Sequence, residues 1–267
     1  MAYFTKKNAK IFYEIYGDGE ETITLINGYT RPSSDFKLLG SFLAAQRRRV
    51  LIFDNRGSGR TETSLEFSIH DIVRDVIDMW DAFQIDKSHV LGISMGSYIA
   101  QKLALEAGQR IRSLCLVSSS SRTTAFPARF VWPKEPGEIL ARLSVYFHPE
   151  FVRKNTLLIE AMAKQIAKEN KDNAFEQRAR AQREALANAE DHEKRLNQLS
   201  LPCLILHGRG DKVIPVQEAY HLQSLIPGSR VHIYEGAGHM LMVEQKQDFY
   251  QRLSEFFKET SPLQESP

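Results

Sequence analysis

The residue best suited to chemistry in this sequence is Ser94, which lies between Gly92 and Gly96 in the run Gly-Ile-Ser-Met-Gly. The pattern Gly-x-Ser-x-Gly is common by chance, and a serine that only caps a helix is its simplest alternative interpretation. Here a strand-like apolar run precedes the pattern and a helix-like run follows it. Glycines at such a junction permit a tight turn that exposes the serine hydroxyl beside helix N–H groups. The context therefore favours a nucleophilic serine.

Two glycine-containing loops further along the chain carry groups that could activate Ser94. A serine hydroxyl is a weak nucleophile unless a base accepts its proton and a third group orients that base. Asp211 follows one strand-like run and His239 follows the next, in the chain order expected downstream of such a serine turn. Reactive groups in parallel sheets gather at the carboxyl ends of the strands. We therefore predict a triad of Ser94, Asp211 and His239, with His207 packed in the core or behind the triad.

Alternating strands and helices are predicted around these residues by the apolar pattern. The strands are predicted over 10–16, 22–26, 50–53, 89–93, 111–117, 201–207 and 230–234. The helices are predicted over 36–45, 68–83, 94–105, 216–225 and 247–259. In the helix over 68–83 the apolar residues share one face, and Ser68 with Asp71 has the spacing of an N-terminal cap. Short apolar strands that alternate with helices indicate an α/β fold with a mostly parallel sheet covered on both faces.

A segment without strand-like runs separates the last two predicted strands from the others. It begins with three prolines and becomes helical and charged, and we predict helices over 150–168 and 173–198. The alternating pattern resumes near residue 200. We therefore predict a core formed by 1–121 and 200–260 and a helical insertion over 122–199. The tail over 261–267 lacks a packing face and is expected to be flexible.

Composition and charge exclude several classes of protein. The 267 residues carry a net charge of +2, with 42% hydrophobic and 25% charged residues. These values are typical of a folded globular protein and lack the charge asymmetry of nucleic-acid binders. No apolar run is long enough to span a membrane, and the start has no secretory signal pattern. Cys115 and Cys203 lie in apolar runs, so we expect buried thiols, no metal site and a cytoplasmic location. The protein is also expected to be a monomer or a homodimer.

Four motifs give the chain a resemblance to serine hydrolases of the α/β-hydrolase fold over nearly its whole length. They are Ile26-Asn-Gly-Tyr29, Asp54-Asn-Arg-Gly-Ser-Gly-Arg-Thr61, Gly92-Ile-Ser-Met-Gly96, and the loops that hold Asp211 and His239. The sequence is similar to the small esterases and lactonases, including 3-oxoadipate enol-lactonase and the pimeloyl-carrier methyl ester esterases. The resemblance implies a mostly parallel eight-stranded sheet flanked by helices, with the insertion over 122–199 as a lid.

The resemblance also implies an oxyanion hole and a substrate pocket. The backbone N–H groups of Met95 and Tyr29 would form the hole. Relatives commonly have His-Gly where this chain has Asn27-Gly28, and the glycines and Arg56 of the 54–61 motif are expected to be structural. The residues expected to contact the substrate are Asn27, Gly28, Phe126, Phe130, Trp132, Tyr146 and Phe147.

The function implied is cleavage of a small to medium carboxylic ester or lactone through an acyl-enzyme. This chemistry needs no metal and no organic cofactor. Two alternatives remain open from the sequence: a ligand receptor or binding protein with slow or no turnover, and a cofactor-free perhydrolase or haloperoxidase that uses the same triad. Fold alone does not decide among them.

Overall fold

A computed structural model describes residues 2–127, 133, 135–169 and 173–261 of the chain. Two of the predicted substrate contacts, Phe130 and Trp132, lie outside the described residues. The predicted flexible tail also lies outside them, except for Ser261.

One twisted sheet forms the centre of the described structure. Its strands are β1 (Ala2–Lys6), β2 (Ala9–Tyr16), β3 (Glu21–Ile26), β4 (Arg48–Phe53), β5 (Glu62–Thr63), β6 (Ser88–Ile93), β7 (Ile111–Val117), β8 (Cys203–Gly208) and β9 (Arg230–Tyr234). The order across the sheet is β1-β2-β4-β3-β6-β7-β8-β9, and the short β5 pairs with β2. The neighbours in the part β4-β3-β6-β7-β8-β9 pair in parallel, while β2 is antiparallel to β1, β4 and β5. The prediction of a mostly parallel sheet is confirmed.

Helices cover both faces of the sheet. They are α1 (Lys37–Ala44), α2 (Ile69–Ala82), α3 (Met95–Ala107), α8 (Gln217–Leu225), α9 (Leu241–Glu244) and α10 (Lys246–Glu259). Helices α2, α3 and α8 pack on one face, and α1 and α10 pack on the other. In β6, Val90 belongs to the first apolar cluster and Leu91 to the second, because successive strand side chains point to opposite faces. This two-sided burial explains why the strands read as continuous apolar runs.

Helix α2 shows how the local sequence determines an element. The Ser68 hydroxyl accepts from the Asp71 N–H, and the Asp71 carboxylate accepts from the Ser68 N–H, which is the predicted reciprocal cap. The apolar residues from Ile69 to Trp80 are buried, except Ile77, which is half-buried. Both features predicted for this helix are confirmed.

The segment between β7 and β8 contains more helices than the sequence analysis predicted. They are α4 (Pro136–Tyr146), α5 (Pro149–Lys154), α6 (Thr156–Glu169) and α7 (Asn173–Ala187). The helix predicted over 150–168 is divided at Asn155, whose side-chain amide donates to the Phe151 carbonyl at 2.9 Å. The helix predicted over 173–198 ends at Ala187, and only a 3₁₀ turn follows at Leu196–Gln198. Helix α4 was not predicted.

Two features are absent from the part of the chain that the structure describes. None of its helices has the length and apolar character required to cross a membrane. Its histidine, cysteine, aspartate and glutamate side chains form no group of three or more that could hold a metal ion. Cys115 and Cys203 are free and buried, as their apolar surroundings predict.

Candidate active site

Ser94 occupies a strained turn between β6 and α3. Its backbone has φ 55° and ψ −119°, a conformation that is uncommon for a residue with a side chain. A Cβ added at Gly92 would lie 2.3 Å from the Gly96 carbonyl oxygen, and one at Gly96 would lie 2.1 Å from the Ile26 carbonyl oxygen. Both glycines are therefore required by close backbone approach. The Ser94 N–H donates to the Val117 carbonyl at 2.8 Å, which ties the turn to the neighbouring strand.

The loop after β8 brings Asp211 to His239. Asp211 Oδ2 lies 2.7 Å from His239 Nδ1. Asp211 Oδ1 accepts the N–H groups of Val213 and Ile214 at 2.8 and 2.9 Å, so the carboxylate is fixed from both sides. Burial by itself would raise the pKa of Asp211, but the charge of His239 and hydrogen bonds from His207 and His239 hold it well below its usual range. The carboxylate is therefore ionised at neutral pH, where it orients the imidazole of His239.

His207 lies behind this pair, as predicted. Its Nε2 is 3.3 Å from Asp211 Oδ2 and 2.9 Å from the Ile214 carbonyl oxygen. The residue is fully buried and is absent from the lining of the cavity described below. Its position fits a packing and hydrogen-bonding role beside Asp211.

The main chain around His239 is held by a residue that the sequence analysis missed. Glu244 accepts from the N–H of Gly238 at 2.9 Å, of Met240 at 3.2 Å and of His148 at 2.6 Å. Burial raises the pKa of Glu244, although these N–H groups oppose that change. No local pattern could have indicated Glu244, because its partners come from the histidine loop and from the insertion.

The predicted oxyanion residues belong to the two segments that meet at Ser94. Met95 is the first residue of α3, where no intrahelical carbonyl is available to its N–H. Tyr29 follows β3, after Gly28, where a Cβ would lie 3.4 Å from Ser94 Cβ. Asn27 Oδ1 accepts the Gly28 N–H at 2.8 Å, and Asn27 Nδ2 donates to the Pro32 carbonyl at 2.8 Å. Asparagine in place of the usual histidine therefore shapes this loop through its own amide.

One cavity gathers most of the predicted site. The predicted residues that line it are Asn27, Gly28, Tyr29, Ser94, Phe126, Tyr146 and His239. Phe147 is not brought to the cavity, since its ring is fully buried among the helices of the insertion and stacks on Phe151 at 5.4 Å. Met95 is buried behind the wall, so only its N–H is relevant to the predicted role.

The cavity wall is mainly apolar and comes from both the core and the insertion. The apolar residues lining it are Ile93, Val117, Phe126, Pro127, Leu143, Met162, Ile166, Leu186, Val213, Met240, Leu241 and Met242. Its charged residues are Arg31, Asp35 and Arg183. Arg31 makes a two-point ion pair with Asp35, at 2.7 and 2.8 Å. This surface suits an apolar group placed against Ser94.

Comparison with known proteins identifies the family. The Hydrolase_4 family model, described as serine aminopeptidase, S33, matches residues 17–246. The chain belongs to this family. This Hydrolase_4 member is 29% identical over 216 residues to 3-oxoadipate enol-lactonase 1 of Acinetobacter baylyi, with 79% of each chain covered. It is 27% identical over 256 residues to the pimeloyl-[acyl-carrier protein] methyl ester esterase of Aeromonas hydrophila, with 91% of this chain and 97% of the relative covered.

A solved structure establishes the fold of this Hydrolase_4 member. MGS-M2, an α/β hydrolase enzyme from a Medee basin deep-sea metagenome library, superposes with a TM-score of 0.85. The match covers 99% of this chain and 100% of the other at 19% sequence identity. The chain therefore has the α/β-hydrolase fold, as the sequence motifs predicted.

Proposed function

We propose that this protein is a serine hydrolase that cleaves a carboxylic ester or lactone through an acyl-enzyme. The observation that carries the proposal is Ser94 on its strained turn in the same cavity as His239, whose Nδ1 is bonded to Asp211. The names of the two relatives, an enol-lactonase and a methyl ester esterase, support ester or lactone chemistry.

In the proposed mechanism each residue of the triad has one role. Asp211 accepts a hydrogen bond from the Nδ1–H group of His239, so Nε2 carries the lone pair that accepts the proton of the Ser94 hydroxyl. The Ser94 oxygen attacks the carbonyl carbon as this proton leaves. Asp211 stabilises the imidazolium that results, and it remains ionised because its pKa is low.

The negative charge that develops on the carbonyl oxygen falls beside the helix start. The N–H groups of Met95 and Tyr29 are the proposed donors to this oxygen, and the amino end of α3 adds its positive dipole. The tetrahedral intermediate collapses as His239 returns the proton to the leaving alcohol. Water then attacks the acyl carbonyl carbon as it loses a proton to His239, and His239 returns that proton to the Ser94 oxygen as the bond between Ser94 and the acid breaks.

The insertion over 122–199 is proposed to act as a lid over this centre. Leu143, Met162, Ile166 and Leu186 come from it and line the cavity, so the acyl group would pack on the lid. The active species is proposed to be a monomer or a homodimer. The two buried free thiols, Cys115 and Cys203, are compatible with the proposed cytoplasmic location.

A fluorophosphonate probe tests the proposed nucleophile directly. Intact mass spectrometry after incubation should show one adduct on the parent. The control Ser144→Ala, which removes a hydroxyl of the insertion outside the proposed triad, should show the same adduct. Ser94→Ala should show none. A folded parent that forms no adduct would contradict the serine hydrolase proposal.

Turnover then separates the substrate classes. We would compare p-nitrophenyl esters of increasing acyl length, a set of lactones and amino-acid p-nitroanilides. Hydrolysis of esters or lactones that disappears in Ser94→Ala supports the proposal. Preferential cleavage of the anilides would favour peptidase activity, and tight binding without turnover would favour a receptor.

A further inference from the structure

A buried glutamine of the insertion is bonded to the loop beside the proposed oxyanion hole. Gln182 lies on α7 and is fully buried. Its Oε1 accepts the Thr30 N–H at 2.7 Å. Its Nε2 donates to the Arg56 carbonyl at 2.6 Å and to Ser58 Oγ at 2.8 Å. The amide thus uses its acceptor on one core loop and its donors on another.

The loop that Gln182 contacts contains Tyr29, a proposed oxyanion donor. Thr30 follows directly and has φ 60°, a conformation unfavourable for a β-branched residue, so the turn depends on outside support. The Tyr29 hydroxyl donates to the Ala179 carbonyl at 2.8 Å, one helical turn before Gln182. Burial raises the pKa of Tyr29 to about 12, which keeps this hydroxyl protonated. Helix α7 therefore holds both loop residues.

The loop after β4 is also hydrogen-bonded directly to the loop after β3, which contains Tyr29. Asn55 Nδ2 donates to the Asn27 carbonyl at 2.9 Å, so the loop after β4 also supports the loop after β3. Gly57 packs closely under the glutamine, because a Cβ there would lie 2.9 Å from Gln182 Cγ. Helix α7 and the two core loops therefore meet at the side chain of Gln182.

We propose that Gln182 is a positioning residue that sets the Tyr29 N–H for the oxyanion, so that the hole is complete only when α7 is docked on the core. This inference rests on the proposed function. The bond from the Thr30 N–H to Gln182 fixes the backbone next to a donor needed in the transition state, and neither Thr30 nor Gln182 lines the apolar cavity. Its loss should lower kcat and leave KM nearly unchanged.

The principal test is Gln182→Met, which keeps the length of the side chain and removes all three bonds. Removal of a whole oxyanion donor lowers turnover by about 10²–10³-fold. We therefore expect kcat for p-nitrophenyl butyrate to fall by about 10²-fold, with KM within about twofold of the parent. The affinity for a trifluoromethyl ketone, which forms an oxyanion adduct with an active serine, should fall in parallel.

Gln101→Met is the matched control. Gln101 is also fully buried, and its Nε2 donates to the Ser120 carbonyl at 3.0 Å and to Ser119 Oγ at 3.3 Å. The control removes a buried amide of the same kind away from Tyr29. It should destabilise the fold while leaving kcat near that of the parent, with every assay run well below each melting temperature.

The outcomes separate this inference from the proposed function. A parent without Ser94-dependent hydrolysis contradicts the proposed function itself. An active parent overturns the positioning role if Gln182→Met keeps the parent kcat, or if Gln101→Met loses as much. If Gln182→Met fails to fold, Tyr29→Phe removes the other bond to α7, and a kcat equal to that of the parent would overturn the proposal.

Discussion

Acid should destabilise this protein through a histidine far from the proposed chemistry. His89 in β6 is fully buried, and its Nδ1 lies 2.7 Å from Ser113 Oγ. Burial, with smaller contributions from Arg48 and Arg112, lowers its pKa to about 3. Glu21 is the nearest carboxylate, at 4.0 Å from Nε2. The folded protein therefore resists protonation of His89 over a pH range in which the unfolded chain accepts it.

The sign and size of the effect follow from proton linkage. An unperturbed histidine has a pKa near 6.5, so below that pH only the unfolded chain gains the proton, and the free energy of unfolding falls. At about pH 5 the loss is RT ln(1 + 10^1.5), or about 2 kcal/mol. The loss grows to about 4 kcal/mol at the folded pKa of about 3.

Urea unfolding of the parent and of His89→Asn measures this loss. Asparagine can keep a polar contact with Ser113 and cannot titrate. Between about pH 8 and about pH 5 the parent should lose about 2 kcal/mol more than the variant. Comparing each protein with its own value at the higher pH removes the packing cost of the substitution. Equal losses in the two proteins would refute the reasoning.

Three further substitutions test the site and its supports. Asp211→Asn should lower kcat by about 10³–10⁴-fold with little change in KM, since the imidazole loses the partner that sets its tautomer. Steady-state kinetics measure this change, and a small loss of kcat would contradict the proposed triad. Gly96→Ala places a methyl group 2.1 Å from a main-chain oxygen, so urea unfolding should show a loss of about 3 kcal/mol or more, and an unchanged stability would contradict the required close approach. Arg56→Met breaks a buried ion pair with Asp75 at 2.7 Å, and urea unfolding should show a loss of about 3 kcal/mol. This value is at the lower end of the usual range because Lys6 also contacts the Asp75 carboxylate, at 2.9 Å. A loss below about 1 kcal/mol, the usual value for an exposed pair, would argue against a structural role for this arginine.

The sequence predicts the elements whose information is local. The apolar runs before Ser94 and Asp211 are buried parallel strands, and the run before His239 is a half-buried parallel strand at the edge of the sheet, so the three residues follow strand ends as predicted. The cap at Ser68 is a contact between residues three apart, and it could be recognised for the same reason.

Elements at the edge of the sheet and in the insertion were harder to predict. Strand β1 alternates half-buried and exposed residues and has no apolar core run, so its short sequence carries a weak signal. In α4, Pro136 occupies the first turn, where proline is favoured, yet a cluster of prolines reads as a loop. Phe147 was expected at the cavity, but it fills the interior of the insertion.

The supporting residues could not be predicted, because their partners are distant in the chain. Gln182 lies in the run Arg-Ala-Gln-Arg-Glu, which is typical of a solvated helix face, yet its side chain is fully buried. Glu244 is the first residue of a polar run, and its carboxylate accepts hydrogen bonds from main-chain N–H groups of two separate segments. Their roles exist only in the assembled tertiary structure.

The insertion makes hydrogen bonds to the core main chain at two places in the proposed site, at His239 and beside Tyr29. The Tyr146 carbonyl accepts the His239 N–H at 2.7 Å, while Gln182 accepts the Thr30 N–H at 2.7 Å. A chimaera that replaced residues 122–199 with a foreign segment would lose both bonds along with the old cavity wall. To change the preferred acyl-chain length, the backbone of the insertion should therefore be retained and side chains that line the cavity, such as Leu143 and Met162, should be substituted.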